Sequence, residues 1–401
     1  MILTKFLYFL LGLTVVFVMA FAWSSDRKNI KYKTLVLLLV IQLILAVIML
    51  ESSIGVVIVN HVSQGFANLL EYAHVGTAFI FGDLANSQKN GFVFFFNVGM
   101  SIVLISAIIG ILQYFKILPA IIKSIGFILS KITGMGRLES FNAVSSLMVG
   151  QQENFLVYKK IIGHLPSNIL YTMAATAMSS ISLAAIAIYI SIIDPRLVCV
   201  AVIINMFGIF FVLNIINPYE KSDDSMYSKL HSEYEETNQS FFEVLSEYIL
   251  DGFKVAVIIC AMLIGFVALL AMIDGIFTAV FGISFREVLG YLLYPFAWAL
   301  NIHGHETYIA AQIMGTKIVA NELVAMQMLN EQAANLSAHT RAVISVFLVS
   351  FASLSSIGII IGAVQALSKE ASAKIAKFGL KIIYGSLLVS FLSANIVGLI
   401  I

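Results

Sequence analysis

Eight apolar runs, near residues 3–23, 33–50, 93–115, 166–191, 196–217, 252–273, 339–364 and 376–400, constrain this chain more than anything else in it. Each approaches or exceeds the ~20 residues that a helix needs to cross the hydrocarbon of a bilayer. Only 11% of the residues are charged and 60% are hydrophobic, against about a quarter charged in a soluble domain. Such a chain cannot clothe itself in a water-facing surface. In hydrocarbon every backbone polar group must be satisfied within the protein, which leaves helices or closed barrels, and runs of this length select helices. The expected fold class is an all-α polytopic membrane protein with eight transmembrane helices.

Five further segments, 54–85, 116–135, 138–163, 274–302 and 306–335, are too interrupted for simple spans and too apolar for loops. Basic residues orient the chain, because Lys and Arg collect in cytoplasmic loops. Arg27, Lys28, Lys31 and Lys33 follow the first run. Lys116, Lys123, Lys131, Arg137, Lys159 and Lys160 then have to lie on the same side, as do Lys369, Lys374, Lys377 and Lys381. The count closes if 138–163 and 306–335 each enter and leave on one side as re-entrant helical hairpins, with both termini outside. Segments 116–137 and 274–302 become interfacial helices. The acidic stretch 219–240 reads as a solvated cytoplasmic tether between two halves. The first run resembles a signal peptide ending near Ala20–Ala22, but it is long for one and a second span follows directly, so it reads as a retained helix.

Several function classes drop out. No basic stripe of the kind nucleic acid requires is present. Cys199 and Cys260 lie inside apolar runs without metal or redox spacing, as small buried hydrophobes do. His303–Gly304–His305–Glu306 lacks the HExxH spacing or a spaced third ligand that a metal site needs. Phosphate loops and nucleophile elbows are absent as well. The chain reads as a non-enzyme without a cofactor.

Polar residues at the centres of the apolar segments point to a transport pathway. The first half carries Gly150, Gln151, Gln152 and Glu153, then "ATAMSSIS" with Ser179, Ser180 and Ile181. The second half carries Asn321 and Glu322, then "SFASLSSIG" with Ser355, Ser356 and Ile357. In each, a hairpin carboxylate precedes Ser-Ser-Ile by roughly thirty residues, and the topology gives the two halves opposite orientations. Inverted-topology repeats of this kind place substrate and ion sites near the bilayer midplane. A carboxylate at a helix centre in lipid costs at least ~2.5 kcal/mol, so Glu153 and Glu322 are expected to face a wet cavity. A pocket of carboxylates, amides and hydroxyls without Arg or Lys at its tips repels anions. It suits a neutral solute rich in OH and NH donors, with an aromatic such as Phe351 for stacking. Nucleosides, sugars and amides all qualify. A channel with polar re-entrant loops is the rival class; it would pass solute without accumulating it.

At these residues the chain resembles the concentrative nucleoside transporter family. "GQQEN" is similar to the family's Gly-Gln-x-Glu hairpin motif, "NELVAM" to Asn-Glu-Phe-Val-Ala, and "FASLSSIG" to Phe-Ala-Asn-x-Ser-Ser-Ile. Similarity extends over nearly the whole chain, including "GRLESFNAVSS" and "EYILDGFKVA", and is greatest to bacterial proton-driven permeases. The resemblance implies a homotrimer in a bacterial inner membrane, surrounded by lipid, with a scaffold and an elevator-like transport domain. Scaffold helices 1–3 would occupy 1–115, with an interfacial helix at 116–137. Repeat 1 (hairpin 1, helices 4 and 5) would occupy 138–218, the linker 219–242 and scaffold helix 6 243–273. Interfacial helices at 274–302 and repeat 2 (hairpin 2, helices 7 and 8) at 303–401 complete it. Carried over by position, Gln151, Gln152, Glu153, Ala185, Glu322, Phe351, Ser353 and Ser356 would contact nucleoside, with Gly150 and Asn321 in support.

Three positions depart from the family pattern. Gln152 stands where sodium-driven members have Thr, and Ser353 where the family usually has Asn, which leaves a modified nucleoside or a nucleobase open as the solute. The family's sodium cage uses an Asn side chain where this chain has Ser146; Val149, Ser180 and Ile181 still offer oxygens. The weakened cage favours H+ over Na+ as coupling ion. Glu153 or Glu322 would be the carrier, since burial favours the neutral form of a carboxyl group.

Overall fold

The computed structural model describes residues 2–86, 93–151, 153–159, 161–219 and 239–401, all helix and connections with no strand among them. The linker reading at 219–240 falls largely outside these residues. Four helices open the chain: α1 (Ile2–Ala22), α2 (Tyr32–Glu51), α3 (Ser53–Phe81) and α4 (Ser101–Tyr114). α5 (Ile117–Ile132) leads into α6 (Arg137–Met148) and the single turn α7 (Glu153–Leu156), which together form the first hairpin. α8 (Ser167–Ser179), α9 (Leu183–Ile192) and α10 (Pro195–Ile216) follow.

The second half repeats the pattern after α11 (Phe241–Phe281) and α12 (Phe285–Ala299). α13 (His305–Val319) and α14 (Glu322–Glu331) form the second hairpin. Then come α15 (Ala338–Leu348), α16 (Leu354–Gln365), α17 (Lys369–Lys377) and α18 (Gly379–Ile400). Boundary chemistry explains many of these limits. Asp194 caps α10 through the Arg196 amide (2.8 Å) with Pro195 in the first turn, and Ser240 with Glu243 forms a capping box on α11.

Length decides which elements can cross. At 1.5 Å per residue α13 and α14 span about 22 and 15 Å, short of the ~30 Å hydrocarbon core. They turn back at residues 320 and 321 as a hairpin, and α13 packs on α14. α8 and α9 are each too short, but Ser167–Ile192 together has crossing length.

Among the described residues eight stretches are long and apolar enough to cross a membrane, but the set differs from the sequence expectation. Segment 54–85 is one continuous stretch, Ser53–Ala85, not an interrupted one. Its polar side chains are absorbed within the helix: a His61 ring nitrogen meets the Val57 carbonyl (2.7 Å) and Gln64 donates to Asn68 (2.9 Å). Segment 339–364, expected as one span, is instead two helices separated at 349–353. Finally, α11 is 41 residues long, about 60 Å, so it joins the expected span 252–273 to flanking turns on both sides.

The two halves interlock. α10 packs on α18 and also on α15 of the second half, while α18 packs on α8 of the first. α4 lies against α11 and also meets α9. The seam inside the first half is polar and buried. Asn142 Nδ2 donates to the Met173 carbonyl (3.0 Å) and Thr176 Oγ1 (2.6 Å), and Asn154 Nδ2 donates to Asn142 Oδ1 and Ser146 Oγ (2.8 Å each). Asn142, Ser146 and Asn154 are fully buried. Replacing Asn154 with Leu strands Asn142 Oδ1, which should lower stability by about 1–3 kcal/mol, the cost of an unmet buried polar group. Thermal unfolding in detergent reads this directly, and an unchanged midpoint would show that the network does not hold hairpin 1 to α8.

Candidate functional site

Both hairpin tips and both helix breaks meet at one cavity, with about 870 Å³ of atom-free space, part of it open to solvent. The polar wall comes from the tips (Gly150, Gln151, Asn321, Glu322) and the breaks (Ser182, Ala185, Tyr189, Phe351, Ser355, Ser356). The facing wall is hydrocarbon, chiefly Val255, Ile258, Ile259 and Leu263 of α11 with Ile102 of α4.

Each tip has a local reason for its shape. Gly150 has φ of +125°, a region closed to most side chains, and this lets α6 stop and the chain reverse. Gln151 follows, buried, with its Oε1 unpaired in the protein. In the second hairpin Asn321 caps α14 by accepting the Val324 amide (3.0 Å). Glu322 therefore occupies the first turn of α14, at the positive end of its dipole. The residue is only 6% exposed. Oε1 accepts from Tyr189 Oη at 2.9 Å, while Oε2 has no protein partner.

The breaks are held just as specifically. Ser182 caps α9 through the Ala185 amide (3.2 Å), and Ser353 caps α16 through the Ser356 amide (3.3 Å). Aligned on these caps, Ala185 and Ser356 are equivalent positions in the two halves. The Ser-Ser-Ile sequences are not equivalent: Ser179–Ile181 runs into the first break, whereas Ser355–Ile357 lies inside the first turn of α16, beyond the second. The sequence matched the triplets; the structure matches the caps.

Of the residues singled out from sequence, Gly150, Gln151, Ala185, Asn321, Glu322, Phe351 and Ser356 line the cavity. Ser353 sits behind the wall, fully buried, and donates to Ser356 Oγ at 3.0 Å. Gln152 and the side chain of Glu153 lie outside the described residues. The four oxygen-bearing positions considered for a cation are divided. Ser146 Oγ donates to the Asn142 carbonyl (2.8 Å) and accepts from Asn154, whereas Ser180 Oγ turns back to the Ala177 carbonyl (3.2 Å). Ser180 borders a small void of about 10 Å³ whose lining does not include Ser146, Val149 or Ile181. Glu306, the acid of the His-Gly-His-Glu run, accepts from the Ser337 amide (2.9 Å) and hydroxyl (2.8 Å) and from Thr340 Oγ1, which ties hairpin 2 to the start of α15.

Tyr189 and the α11 wall were not found from sequence. The signal for Tyr189 was available: it stands four residues after Ala185 and seven after Ser182, on the same helical face. Acceptors on one wall and hydrocarbon on the other fit a neutral, amphipathic solute with several hydrogen-bond donors.

Three family descriptions match the chain: "Na+ dependent nucleoside transporter C-terminus" over 197–398, the corresponding N-terminus over 11–84, and "Nucleoside recognition" over 95–196. The purine nucleoside transport protein NupG of Bacillus subtilis is 33% identical, covering 99% of each chain. Nucleoside permease NupC of Helicobacter pylori is 32% identical over 98% of each. Among solved structures, CNTnw in an inward-facing substrate-bound state superposes with a TM-score of 0.91 at 28% identity, covering 98% of this chain and 97% of that one. A doubly substituted form of CNTnw in an outward-facing state gives 0.91 at 28%, covering 100% and 99%.

Tyr189→Phe would leave both Glu322 oxygens without a protein donor. Loss of a hydrogen bond to a charged group should lower stability by about 1.5–3 kcal/mol, measured by thermal unfolding of the purified variant. An unaltered unfolding curve would mean that this bond does not hold hairpin 2 against α9.

Proposed function

The chain belongs to the concentrative nucleoside transporter family, and from that premise we propose that it drives nucleosides into the cell by H+ symport. It is a multi-pass membrane protein that transports nucleosides rather than an enzyme, and the outward- and inward-facing states of its structural relatives support alternating access. The observation that carries the coupling proposal is Glu322. One of its oxygens is engaged by Tyr189, and the other is buried, unpaired and on the cavity wall.

Ribose hydroxyls are the donors best suited to that free oxygen, with Gln151 offering an acceptor to the same solute. Phe351 and the α11 wall would cover the base, since stacking and apolar contact need no charge. Neutral solutes fit and phosphorylated ones do not, because no basic side chain among the described residues lines the cavity. H+ is favoured because Ser146, at the position of the family's strong sodium ligand, offers only a hydroxyl oxygen, and that oxygen already accepts from Asn154 Nδ2 at 2.8 Å. Na+ coupling, or a related solute such as a modified nucleoside or nucleobase, is the alternative reading. The assembly fitting this reading is a homotrimer in a bacterial inner membrane with both termini outside. The hairpins and broken helices would shift solute in an elevator-type movement against α11 and its neighbours.

Uptake of radiolabelled nucleoside into proteoliposomes, under an imposed pH gradient or Na+ gradient separately, tests the coupling. Accumulation should follow the pH gradient; accumulation that follows Na+ and ignores pH contradicts it. Glu322→Gln should weaken nucleoside binding about 10- to 100-fold, as expected for a hydrogen bond to a charged group, without changing the elution volume of the purified protein. Near-normal binding by that variant removes Glu322 from the site.

A further inference from the structure

Among the described residues, Lys317 is the one basic side chain with no exposed surface. It lies on α13 of hairpin 2, five residues before Glu322, and does not line the cavity. Leaving an isolated ammonium in such a place costs several kcal/mol, so its surroundings have to repay the loss of water. They do so by matching it group for group. Nζ donates to the Phe347 carbonyl, to Ser350 Oγ (2.8 Å) and to Ser390 Oγ (3.1 Å). An ammonium has three hydrogens, and all three are used. The two serine hydroxyls lie 2.7 Å apart, and Nζ is 4.7 Å from the centroid of the Phe347 ring.

The acceptors come from three different elements. Phe347 is in the last turn of α15, where carbonyls have lost their helical partners and the helix dipole is negative. Ser350 lies in the 349–353 break and Ser390 on α18. One ammonium thus joins hairpin 2 to the break that carries Phe351 and to the long helix behind it. Asn205 of α10 completes the support of that break from the other side, donating to the Val349 carbonyl at 2.6 Å.

The first half handles the same seam without charge. There Asn142 donates to Met173, in the middle of α8, and Asn154 and Ser146 fill in around it. Each hairpin is therefore joined to the helix that follows it by buried polar side chains, with neutral amides in one half and an ammonium in the other.

We propose that the end of α15, with Ser350 and Ser390, is a cation-binding site permanently filled by the chain's own Lys317. By filling it, Lys317 is a positioning residue that holds Phe351 and Ser356 against Glu322. A small ammonium ion is the free ligand the emptied site would accept: it supplies N–H donors of the same kind and fits the space left by the Lys317 side chain. The effect on solute binding rests on the nucleoside-transport reading; the cation site itself does not.

Three variants test this. Lys317→Ala empties the site, Lys317→Met fills it with an uncharged chain of similar length, and Ser390→Ala keeps the ammonium but removes one acceptor. Thermal unfolding of purified protein is compared in methylammonium chloride, tetramethylammonium chloride and choline chloride. The midpoint of Lys317→Ala should rise in methylammonium alone, while wild type and Lys317→Met should not respond. Equilibrium nucleoside binding in detergent, without any gradient for a weak base to dissipate, is the second readout. Lys317→Ala should bind at least about tenfold more weakly and recover in methylammonium; Lys317→Met should stay weak. If Lys317→Ala does not fold, Ser390→Ala decides, with an expected loss of about threefold or more, and wild-type affinity there overturns the positioning role. A folded Lys317→Ala that ignores methylammonium, or responds equally to tetramethylammonium, overturns the cation site. Should wild type itself fail to bind nucleosides, the transport reading falls while the unfolding comparison still judges the site.

Discussion

A helix that breaks in hydrocarbon leaves amides and carbonyls that water cannot reach, and this structure is organised around meeting those groups from inside the protein. Four interruptions fall at the centre of the bundle, two hairpin tips and two helix breaks. Three of them are closed by a short side chain, and the first tip turns on Gly150. Ser182, Asn321 and Ser353 cap the helices that restart. Asn205 and Lys317 reach across to carbonyls at the end of α15, and Asn142 reaches the Met173 carbonyl in the middle of α8. At the cavity itself two acceptors are left without a protein partner, Gln151 Oε1 and Glu322 Oε2.

That arrangement explains why the cavity is one-sided. Breaks and tips supply the polar groups of the lining, beside Ala185 and Phe351, because they carry free backbone and capping groups. The opposing wall is made by α11 and α4, which are uninterrupted there and so present hydrocarbon. A solute held between them can exchange hydrogen bonds with one wall while sliding against the other. For movement of one unit past another, an apolar face is the suitable contact, since no hydrogen bond has to be broken as it passes.

Much of this was legible in the sequence. Polar residues at Gly150–Glu153 and Asn321–Glu322 inside apolar segments announced hairpin tips, because lipid excludes them energetically. The recurrence of a carboxylate ahead of Ser-Ser-Ile pointed to repeats. It also misled, because the matching triplets sit on opposite sides of their helix breaks, and only the caps Ser182 and Ser353 show the true correspondence. The 54–85 helix was hidden by residues such as His61 and Gln64, whose intrahelical bonds make them cheaper to bury than their identity suggests. Lys317 gave no signal as a lone base in "MGTKIV". Its three acceptors come from positions 30, 33 and 73 residues away, and only folding brings them together.

The central claim is that solute lies between Glu322 and the α11 wall, and site-specific protection measures that contact. With Cys199 and Cys260 replaced, a single cysteine at Ser355, a partly exposed cavity position, can be labelled by a maleimide in the presence or absence of nucleoside. The account predicts that nucleoside slows labelling at that position, in proportion to occupancy, and leaves labelling of a cysteine on the outer face of α3 unchanged. Labelling at Ser355→Cys that proceeds at the same rate while nucleoside is demonstrably bound would contradict it.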